Sequence, residues 1–340
     1  MRDAKALAAD PSWFPDAFDA AKGVIRFARI ERDVLSAEAF LDQRKNNAVT
    51  AWAECPIDDV APHVRQSPAP AFIYHSAFCG STLLARALDA RGAVLCLKEP
   101  NVLLDLVNAR RVSPAFQTGD RFELTAGTIL SLLSRPHAEG ERVVIKPTNT
   151  ASPLAAFTNA RGMKAIFLYG ALRDFLISLL KKGEPARAFI RQQYNIFALD
   201  GTGLSKIAPR QAMSFTDLQV AALVWRHQLE EFSRLLKAAS GAASLDFAAL
   251  AANPDAVLRA VASHLSLPLN DRHIGGATAG AVFRTHSKFA GEQYDASKRR
   301  SENDAIASRY ETELKIIEDW VRPINLGVDM STPLSRALKF

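Results

Sequence analysis

Short apolar segments that alternate with helix-like stretches constrain the fold of this chain more than any other feature of its sequence. Each segment is four or five residues long, too short for a helix, and rich in side chains that favour strands. Such alternation is typical of β–α–β units, in which helices cover both faces of a parallel sheet. The sequence therefore predicts an α/β fold. The predicted strands are residues 71–74, 93–97, 143–146, 165–169 and 244–247.

Helical spacing of apolar residues fills the stretches between these strands. A Pro-rich stretch at 67–70 separates them from a first segment of mixed character. We therefore expect an N-terminal extension, 1–69, that packs on a main α/β domain, 70–330, and a C-terminal tail, 331–340. The predicted helices are 36–44, with Ser36 as its N-cap, 82–91, 174–182, 215–238 and 254–265.

The charge and composition of the chain exclude several classes of protein. Its 340 residues carry 42 Lys and Arg against 36 Asp and Glu, and the net charge of +6 is spread along the sequence. This suits an anionic small ligand and not a nucleic acid. No apolar stretch is long enough to predict a membrane span. Three widely spaced cysteines, Cys55, Cys79 and Cys96, predict neither a disulfide framework nor a zinc site. With an N-terminus that lacks a signal-peptide core, these features predict a cytoplasmic protein.

The first predicted strand is followed by a loop and a helix with the layout of a phosphate-binding loop. Free loop amides and the helix N-terminus favour an anion there. A nucleotide triphosphatase would carry Gly at position 75 and Lys at position 81, where this chain has His75 and Ser81. The loop therefore predicts phosphate binding without ATP or GTP hydrolysis, and an ordinary helix cap is the alternative interpretation. The residues predicted to bind the anion are Cys79, Gly80, Ser81 and Thr82.

Five motifs follow one another between residues 72 and 267. They are FIYHSAFCGSTLL at 72–84, LKEP at 97–100, VIKPT at 144–148, IFLYGALRDFLISLL at 166–180 and LDFAALAANPDAVLRAVASHLSL at 245–267. In this order they resemble the sulfotransferase family, in its bacterial form. The family has a P-loop-like fold and uses 3′-phosphoadenosine-5′-phosphosulfate (PAPS) as donor. The resemblance implies sulfuryl transfer to a hydroxyl or amine of a small-molecule, peptide or glycan acceptor, with adenosine 3′,5′-bisphosphate as product and no metal.

The resemblance also assigns residues to the donor. The loop at 79–82 would hold the 5′-phosphosulfate. Arg173 and Ser178, five residues apart on a predicted helix, would hold the 3′-phosphate, for which the planar fork of Arg is well shaped. A basic loop near the C-terminus would close over the nucleotide, although a solvated loop explains the same residues. The candidates in that loop are Arg284, Lys288 and Arg299.

Three residues at strand ends are candidates for the chemistry. Lys146 ends an apolar strand, where an unpaired charge is costly. It is therefore the best replacement for the cation that is missing from the loop. A salt bridge to Glu99 is the alternative role. Glu99 follows a buried strand and precedes Pro100, which makes it the first candidate for the base. His75 is the second, because an unperturbed imidazole has a pKa of roughly 6.5; a hydrogen-bonded loop histidine is its alternative. Lys98 is expected to be solvated or to be a charge at the rim of the pocket.

Two positions depart from the family pattern. Phe78 stands where the loop usually has Lys or Arg, and Tyr169 stands where an Arg usually follows the strand. A sulfotransferase-like module that binds a nucleotide or a protein without catalysis is therefore the alternative function, and the missing loop Lys argues against a kinase-like transferase. The acceptor pocket is expected to come from 1–69, 101–140 and 184–214, whose mixed polarity selects no acceptor.

Overall fold

Strands occupy two separate regions of the chain. The computed structural model describes residues 3–42, 49–117, 119–280, 283 and 296–340. The strands are β1 Trp13–Asp19, β2 Val24–Arg29, β3 Ala51–Pro56, β4 Ala71–His75, β5 Val94–Lys98, β6 Arg142–Lys146, β7 Ala165–Tyr169 and β8 Ala242–Asp246. Within the described ranges, β1–β3 form an antiparallel sheet in chain order, and β4–β8 form a parallel sheet in the order β5-β6-β4-β7-β8.

Helices follow nearly every strand of the parallel sheet. They are α1 Ala4–Ala9, α2 Arg32–Ala37, α3 Ile57–Val60, α4 Ser81–Leu88, α5 Asn101–Val112, α6 Pro114–Gln117, α7 Asp120–Leu133, α8 Leu154–Ala160, α9 Leu172–Lys182, α10 Glu184–Ala198, α11 Pro209–Ser214, α12 Asp217–Ala238, α13 Phe247–Ala252, α14 Pro254–Leu265, α15 Asp271–Ala279, α16 Ala296–Arg309 and α17 Glu311–Val321. Short 3₁₀ turns occupy Ala61–His63, Asn149–Ala151 and Gly203–Lys206.

The predicted fold class is confirmed, because a parallel sheet lies between two layers of helices. All five predicted strands are present, each within two residues of its expected ends, and α14 has the predicted bounds. Burial explains why the pattern was so clear. All five strands are buried at four or five of their five positions, and such strands are largely apolar rather than alternating.

The helix predicted at 36–44 is wrong. The helix in this region is α2, so Ser36 lies near its end instead of at its start. Glu38 already has an extended backbone, and the chain then crosses the end of β5, where the amide of Leu41 donates to the carbonyl of Lys98 at 2.7 Å. The pattern missed this boundary because a long-range backbone contact ends the helix.

The two faces of the parallel sheet bury different parts of the chain. Ile73 packs in one core with residues of α4 and α14, whereas Phe72 and Tyr74 pack in a second core with residues of α9 and α12. The N-terminal antiparallel sheet contributes Phe27 to that second core. At the other end of the chain, the amide of Leu338 donates to the carbonyl of Ser244 in β8 at 2.9 Å. Both terminal segments therefore pack against the main sheet.

The strand order creates a crevice at one edge of the sheet. Strand β4 comes first of the parallel strands in sequence and lies in the centre; from it the chain runs to β5 at one side, and from β7 it runs to β8 at the other. Ligands of such sheets bind beyond the carboxyl ends of the strands where the connections diverge. Here that position lies between the loops after β4 and β7. No helix in the described part of the chain is both long and apolar enough to cross a membrane.

Candidate active site

The loop between β4 and α4 presents an open helix N-terminus to the crevice. Gly80 precedes the helix in the left-handed conformation, with φ 73° and ψ 16°, and no side chain of the described residues caps the helix there. The carbonyl of Gly80 accepts from the amide of Leu84, the usual first bond inside a helix. The amides before Leu84 are therefore directed out of the helix end, where the helix dipole favours an anion. The hydroxyl-bearing residues Ser81 and Thr82 are both buried in this first turn.

Neighbouring loops hold this loop from behind. A Cβ atom on Gly80 would lie 2.2 Å from Cε2 of Phe247, the first residue after β8. A Cβ on Gly170, just after β7, would lie 3.8 Å from Cβ of Cys79. The indole of Trp225 fixes the second loop by donating to the carbonyl of Gly170 at 2.9 Å. The absence of a side chain at position 80 therefore allows the loop to sit directly on Phe247.

Lys146, Glu99 and His75 lie together at the carboxyl end of the sheet. The Lys146 ammonium is buried and donates to Oε1 of Glu99 at 2.5 Å, and it lies 3.4 Å from Nε2 of His75. The side chain of Glu99 is 19% exposed, so it links the buried lysine to the solvent-accessible rim. Burial raises the pKa of the Cys79 thiol in the neighbouring loop, and the Lys146 charge opposes that rise. The structure thus brings all three catalytic candidates beside the candidate anion site.

The backbone of Glu99 is held in an unusual conformation. Its φ of 57° is left-handed, which costs a non-glycine residue about 1–2 kcal/mol. Three backbone hydrogen bonds hold this conformation. The Glu99 amide donates to the carbonyl of Lys146 at 2.6 Å. On either side of Glu99, the Leu41 amide donates to the carbonyl of Lys98 and the Leu41 carbonyl accepts from the amide of Asn101. The N-terminal extension therefore helps to fix the direction of the candidate base.

Lys98 is buried, so the expectation that it is solvated is wrong. Its ammonium donates to the carbonyls of Leu35, Ser36 and Cys96 at 3.3, 2.8 and 3.1 Å. The first two belong to the last turn of α2, where carbonyl groups lack partners inside the helix and attract a cation. Burial lowers the pKa of Lys98. Lys98 thus attaches the N-terminal extension to the end of β5, one residue before Glu99.

Both ring nitrogens of His75 lie close to backbone carbonyls, and a neutral imidazole can donate to only one of them. Nδ1 lies 3.1 Å from the carbonyl of Ser76, and Nε2 lies 3.0 Å from the carbonyl of Pro147. To act as a base, the imidazole would have to exchange one of these carbonyls for the acceptor. The Glu99 side chain is 19% exposed and can meet an acceptor at the rim, whereas His75 is buried. The geometry therefore favours Glu99 over His75 as the base.

The Cys79 thiol is a structural donor of the loop. It donates to the carbonyl of Ser76 at 2.8 Å, and burial raises its pKa to about 11. The native thiol is therefore protonated at neutral pH, and thiolates, not thiols, are nucleophilic. Cysteines 55 and 96 are likewise free and buried.

We expect Cys79 to resist alkylation by iodoacetamide at pH 8 in the native protein and to react readily after denaturation. The pKa of the Cys79 thiol in the folded protein lies above its unfolded value of 9.0. The contribution of this thiol to the free energy of unfolding is therefore present below pH 9 and is lost as the pH rises through about 11. Mass spectrometry of each cysteine against time measures this directly. Rapid native labelling of Cys79 would show that the thiol is not held in the loop as described.

The residues predicted for the 3′-phosphate lie on one helix near the crevice. Arg173 and Ser178 are both in α9, and Ser178 is buried. The Arg173 guanidinium pairs with two carboxylates of α17, Glu311 and Glu318, the latter at 3.2 Å. A phosphate would therefore compete with these carboxylates for Arg173. Three further predicted residues, Arg284 and Lys288 and the side chain of Arg299, lie outside the described residues.

Tyr169 at the end of β7 has a role in the fold. Its hydroxyl accepts from the amide of Leu334 at 3.1 Å, and burial raises its pKa. The C-terminal segment thus meets the parallel sheet where an Arg stands in the family pattern.

Two parts of the site were missed by sequence reasoning. Leu41 contributes only backbone groups, and nothing in its residue type signals that role. Phe247 was predicted as the end of a strand at the same edge of the sheet, which was the only signal for its position behind Gly80.

A cleft of about 360 Å³ lies apart from the reacting residues, between α5, α8 and α12. Two of the segments expected to supply an acceptor pocket contribute to it, through Arg111 and Asp200 among others. These two residues form an ion pair at 2.6 Å, which balances their charges within the wall. Neither Glu99 nor Lys146 lines this cleft. Among the described residues, no group of three or more His, Cys, Asp or Glu is arranged to hold a metal ion.

The fold and the loop together define an α/β protein in which a left-handed Gly80 leads from the central strand into a helix whose N-terminus has no side-chain cap. No protein-family model matches the sequence, and no curated protein does. Among solved structures, the chain is similar to sulfotransferases. The sulfotransferase domain from the curacin biosynthetic pathway is 16% identical, with a TM-score of 0.42, and the match covers 76% of this chain and 98% of that domain.

Two other solved sulfotransferases are similar to this chain. One from Alicyclobacillus acidocaldarius is 15% identical with a TM-score of 0.37, and the match covers 73% of this chain and 96% of that one. A mouse sulfotransferase complexed with PAP is 8% identical with a TM-score of 0.32, and the match covers 77% of this chain and 90% of that one. Likenesses at these values carry no argument about activity, so function has to be argued from the chain's own residues.

Proposed function

We propose that this protein transfers a sulfuryl group from PAPS to a hydroxyl or amine. The observation that carries the proposal is the open N-terminus of α4 beside the buried Lys146–Glu99 pair. Sulfuryl transfer needs an anion site for the leaving phosphate, a cation to offset its growing charge and a base for the acceptor proton. These three groups meet at the carboxyl end of β4, β5 and β6.

The anion site is formed by the backbone. The amides of Ser81 and Thr82 with the α4 dipole would hold the 5′-phosphate, and Gly80 lets the loop that carries them sit directly on Phe247. Arg173 and Ser178 of α9 are the proposed ligands of the 3′-phosphate. Binding there would require Arg173 to exchange the carboxylates of α17 for the phosphate.

Two of the three catalytic candidates, Glu99 and Lys146, account for the reaction. The acceptor oxygen or nitrogen forms a bond to sulfur, the bond from sulfur to the 5′-phosphate oxygen breaks, and the acceptor proton passes to Glu99. A base in this position contributes about 10²–10⁴-fold to a rate. As Glu99 becomes neutral, the charge of Lys146 is no longer balanced by it and is available to the departing phosphate. Proton removal and leaving-group stabilisation are thereby coupled through one ion pair.

A binding module without turnover is favoured by two observations. The tip of the loop carries Phe78 instead of a cation, and Arg173 is already paired. Such a protein would bind the nucleotide product and leave labelled PAPS unconverted in the presence of any acceptor.

Calorimetric titration with adenosine 3′,5′-bisphosphate tests the donor site. We expect micromolar binding that weakens about tenfold or more in Lys146→Met and in Arg173→Ala, because each loses a charge contact to a phosphate. Arg191→Ala is a matched control, since Arg191 forms an exposed ion pair with Asp217 in α12. Absence of binding at millimolar nucleotide by a folded sample would rule out PAPS as the donor.

A further inference from the structure

The tip of the phosphate-binding loop carries no positive charge of its own. Residues 76–82 contain neither Lys nor Arg, and Phe78 occupies the tip with a left-handed φ of 60°. A 5′-phosphate carries close to two negative charges at neutral pH. Lys146 belongs to β6, which lies on one side of β4, and its Nζ lies 3.4 Å from Nε2 of His75, the last residue before the loop. The opposite side of the loop faces β7 and the helix that follows it.

A lysine lies at the loop tip on that opposite side. Nζ of Lys182, the last residue of α9, lies 4.3 Å from the centroid of the Phe78 ring. This distance is well within the range of a cation–π contact. The end of a helix favours a cation as well, because the carbonyl groups there carry partial negative charge. Ring and helix end therefore both keep the ammonium group close to the loop.

Phe78 is itself held in place by aromatic neighbours. Its ring centroid lies 5.3 Å from that of Phe175 in α9 and 6.1 Å from that of Phe189 in α10. These contacts support a left-handed residue whose conformation would otherwise be unfavourable. The ring is thus a fixed platform between the loop and the position of Lys182.

We propose that Lys182 supplies the second positive charge of the donor site, and that Phe78 positions it. This inference rests on the proposed function, since it names a further ligand of the same nucleotide. Lys146 and Lys182 then bracket the 5′-phosphosulfate from β6 and α9, on the two sides of β4. The inference assigns Lys182 to the 5′ group, because its ammonium lies over the ring of Phe78 in the loop that would bind that group.

A packing role alone is the competing explanation, and Lys181 separates the two. Lys181 lies next to Lys182 at the end of the same helix, but its ammonium pairs with Glu302 of α16. Adjacent helix residues point about 100° apart, so the two lysines face different surroundings. Removing either lysine lowers the net charge by one and takes one cation from the C-terminal end of α9. Of these two lysines, Lys182 is the one that lies over the Phe78 ring in the loop.

The test compares Lys182→Ala with Lys181→Ala by calorimetry, using two nucleotides. We expect Lys182→Ala to weaken adenosine 3′,5′-bisphosphate about tenfold and to leave adenosine 3′-monophosphate, which lacks the 5′ group, unchanged. Lys181→Ala should bind both as the wild type does. In the Lys182→Ala background, Phe78→Lys should restore binding, because it returns a cation to the loop.

Each other outcome overturns the inference in a distinguishable way. If the wild type binds adenosine 3′,5′-bisphosphate and Lys182→Ala binds it equally well, Lys182 is not part of the site and the proposed function stands. Equal weakening by both lysine variants, or of both nucleotides, shows a general charge effect. A folded wild type that binds neither nucleotide overturns the proposed function and this inference together.

Discussion

Gly80→Ala is expected to abolish binding of adenosine 3′,5′-bisphosphate and to lower the stability of the protein by roughly 2–4 kcal/mol. Two costs combine at this position. A left-handed φ of 73° disfavours any Cβ, and the new methyl group would lie 2.2 Å from the ring of Phe247. Either the ring or the loop must move, and a displaced loop no longer aligns its amides with a phosphate.

Gly92→Ala separates the two costs. Gly92 has a comparable φ of 77°, but an added Cβ would meet nothing within 4 Å. We expect a loss of about 1 kcal/mol from backbone strain alone and unchanged nucleotide binding. Urea unfolding gives the free energies and calorimetry gives the affinities. Nucleotide affinity that survives Gly80→Ala unchanged would show that the loop does not depend on its contact with Phe247.

Glu99→Gln is expected to destabilise the protein by about 3 kcal/mol. The substitution leaves the Lys146 ammonium, whose side chain is 1% exposed, without its balancing carboxylate. Breaking a buried ion pair from one side costs about 3–5 kcal/mol, and we expect the lower end because Glu99 is 19% exposed. Lys146→Met in the same chain removes the stranded charge while keeping the length of the side chain.

The double variant tests whether the two residues act as a pair. Glu99→Gln with Lys146→Met should be more stable than Glu99→Gln alone, with a coupling of about 2 kcal/mol in urea unfolding. Nucleotide affinity should respond in opposite directions, because Lys146→Met removes an attractive charge and Glu99→Gln removes a repulsive one. Strict additivity of the two stability changes would contradict a functional ion pair at this position.

The parallel sheet was predictable from the sequence because burial on both faces leaves a local record. The segment at 165–169 is apolar at every position, and it forms β7 with the same bounds. The 12 residues of α14 begin at a proline, which is a local signal as well. By contrast, α2 ends at Ala37, and the chain beyond it is held by the bond from Leu41 to Lys98, a contact between residues far apart in sequence.

The candidate site likewise has parts that the sequence indicated and parts that only the structure shows. Residue type and strand position alone pointed to Lys146, Glu99 and the loop, since charged groups at the ends of buried strands gather at one edge of a sheet. The same reasoning placed Lys98 in solvent, because a sequence does not show that the carbonyls of α2 surround its ammonium.

What the sequence alone determined is the parallel α/β fold and the loop at its central strand, since both follow from patterns of neighbouring residues. What only the tertiary structure decided is how the charges pair. Lys146 and Glu99 are 47 positions apart in the sequence. Arg173 is 138 and 145 positions from its two partners in α17, and Lys182 is 104 positions from Phe78. Such contacts depend on where the chain folds back, because electrostatic and aromatic interactions act over a few ångströms in space and leave no periodic signal in the sequence.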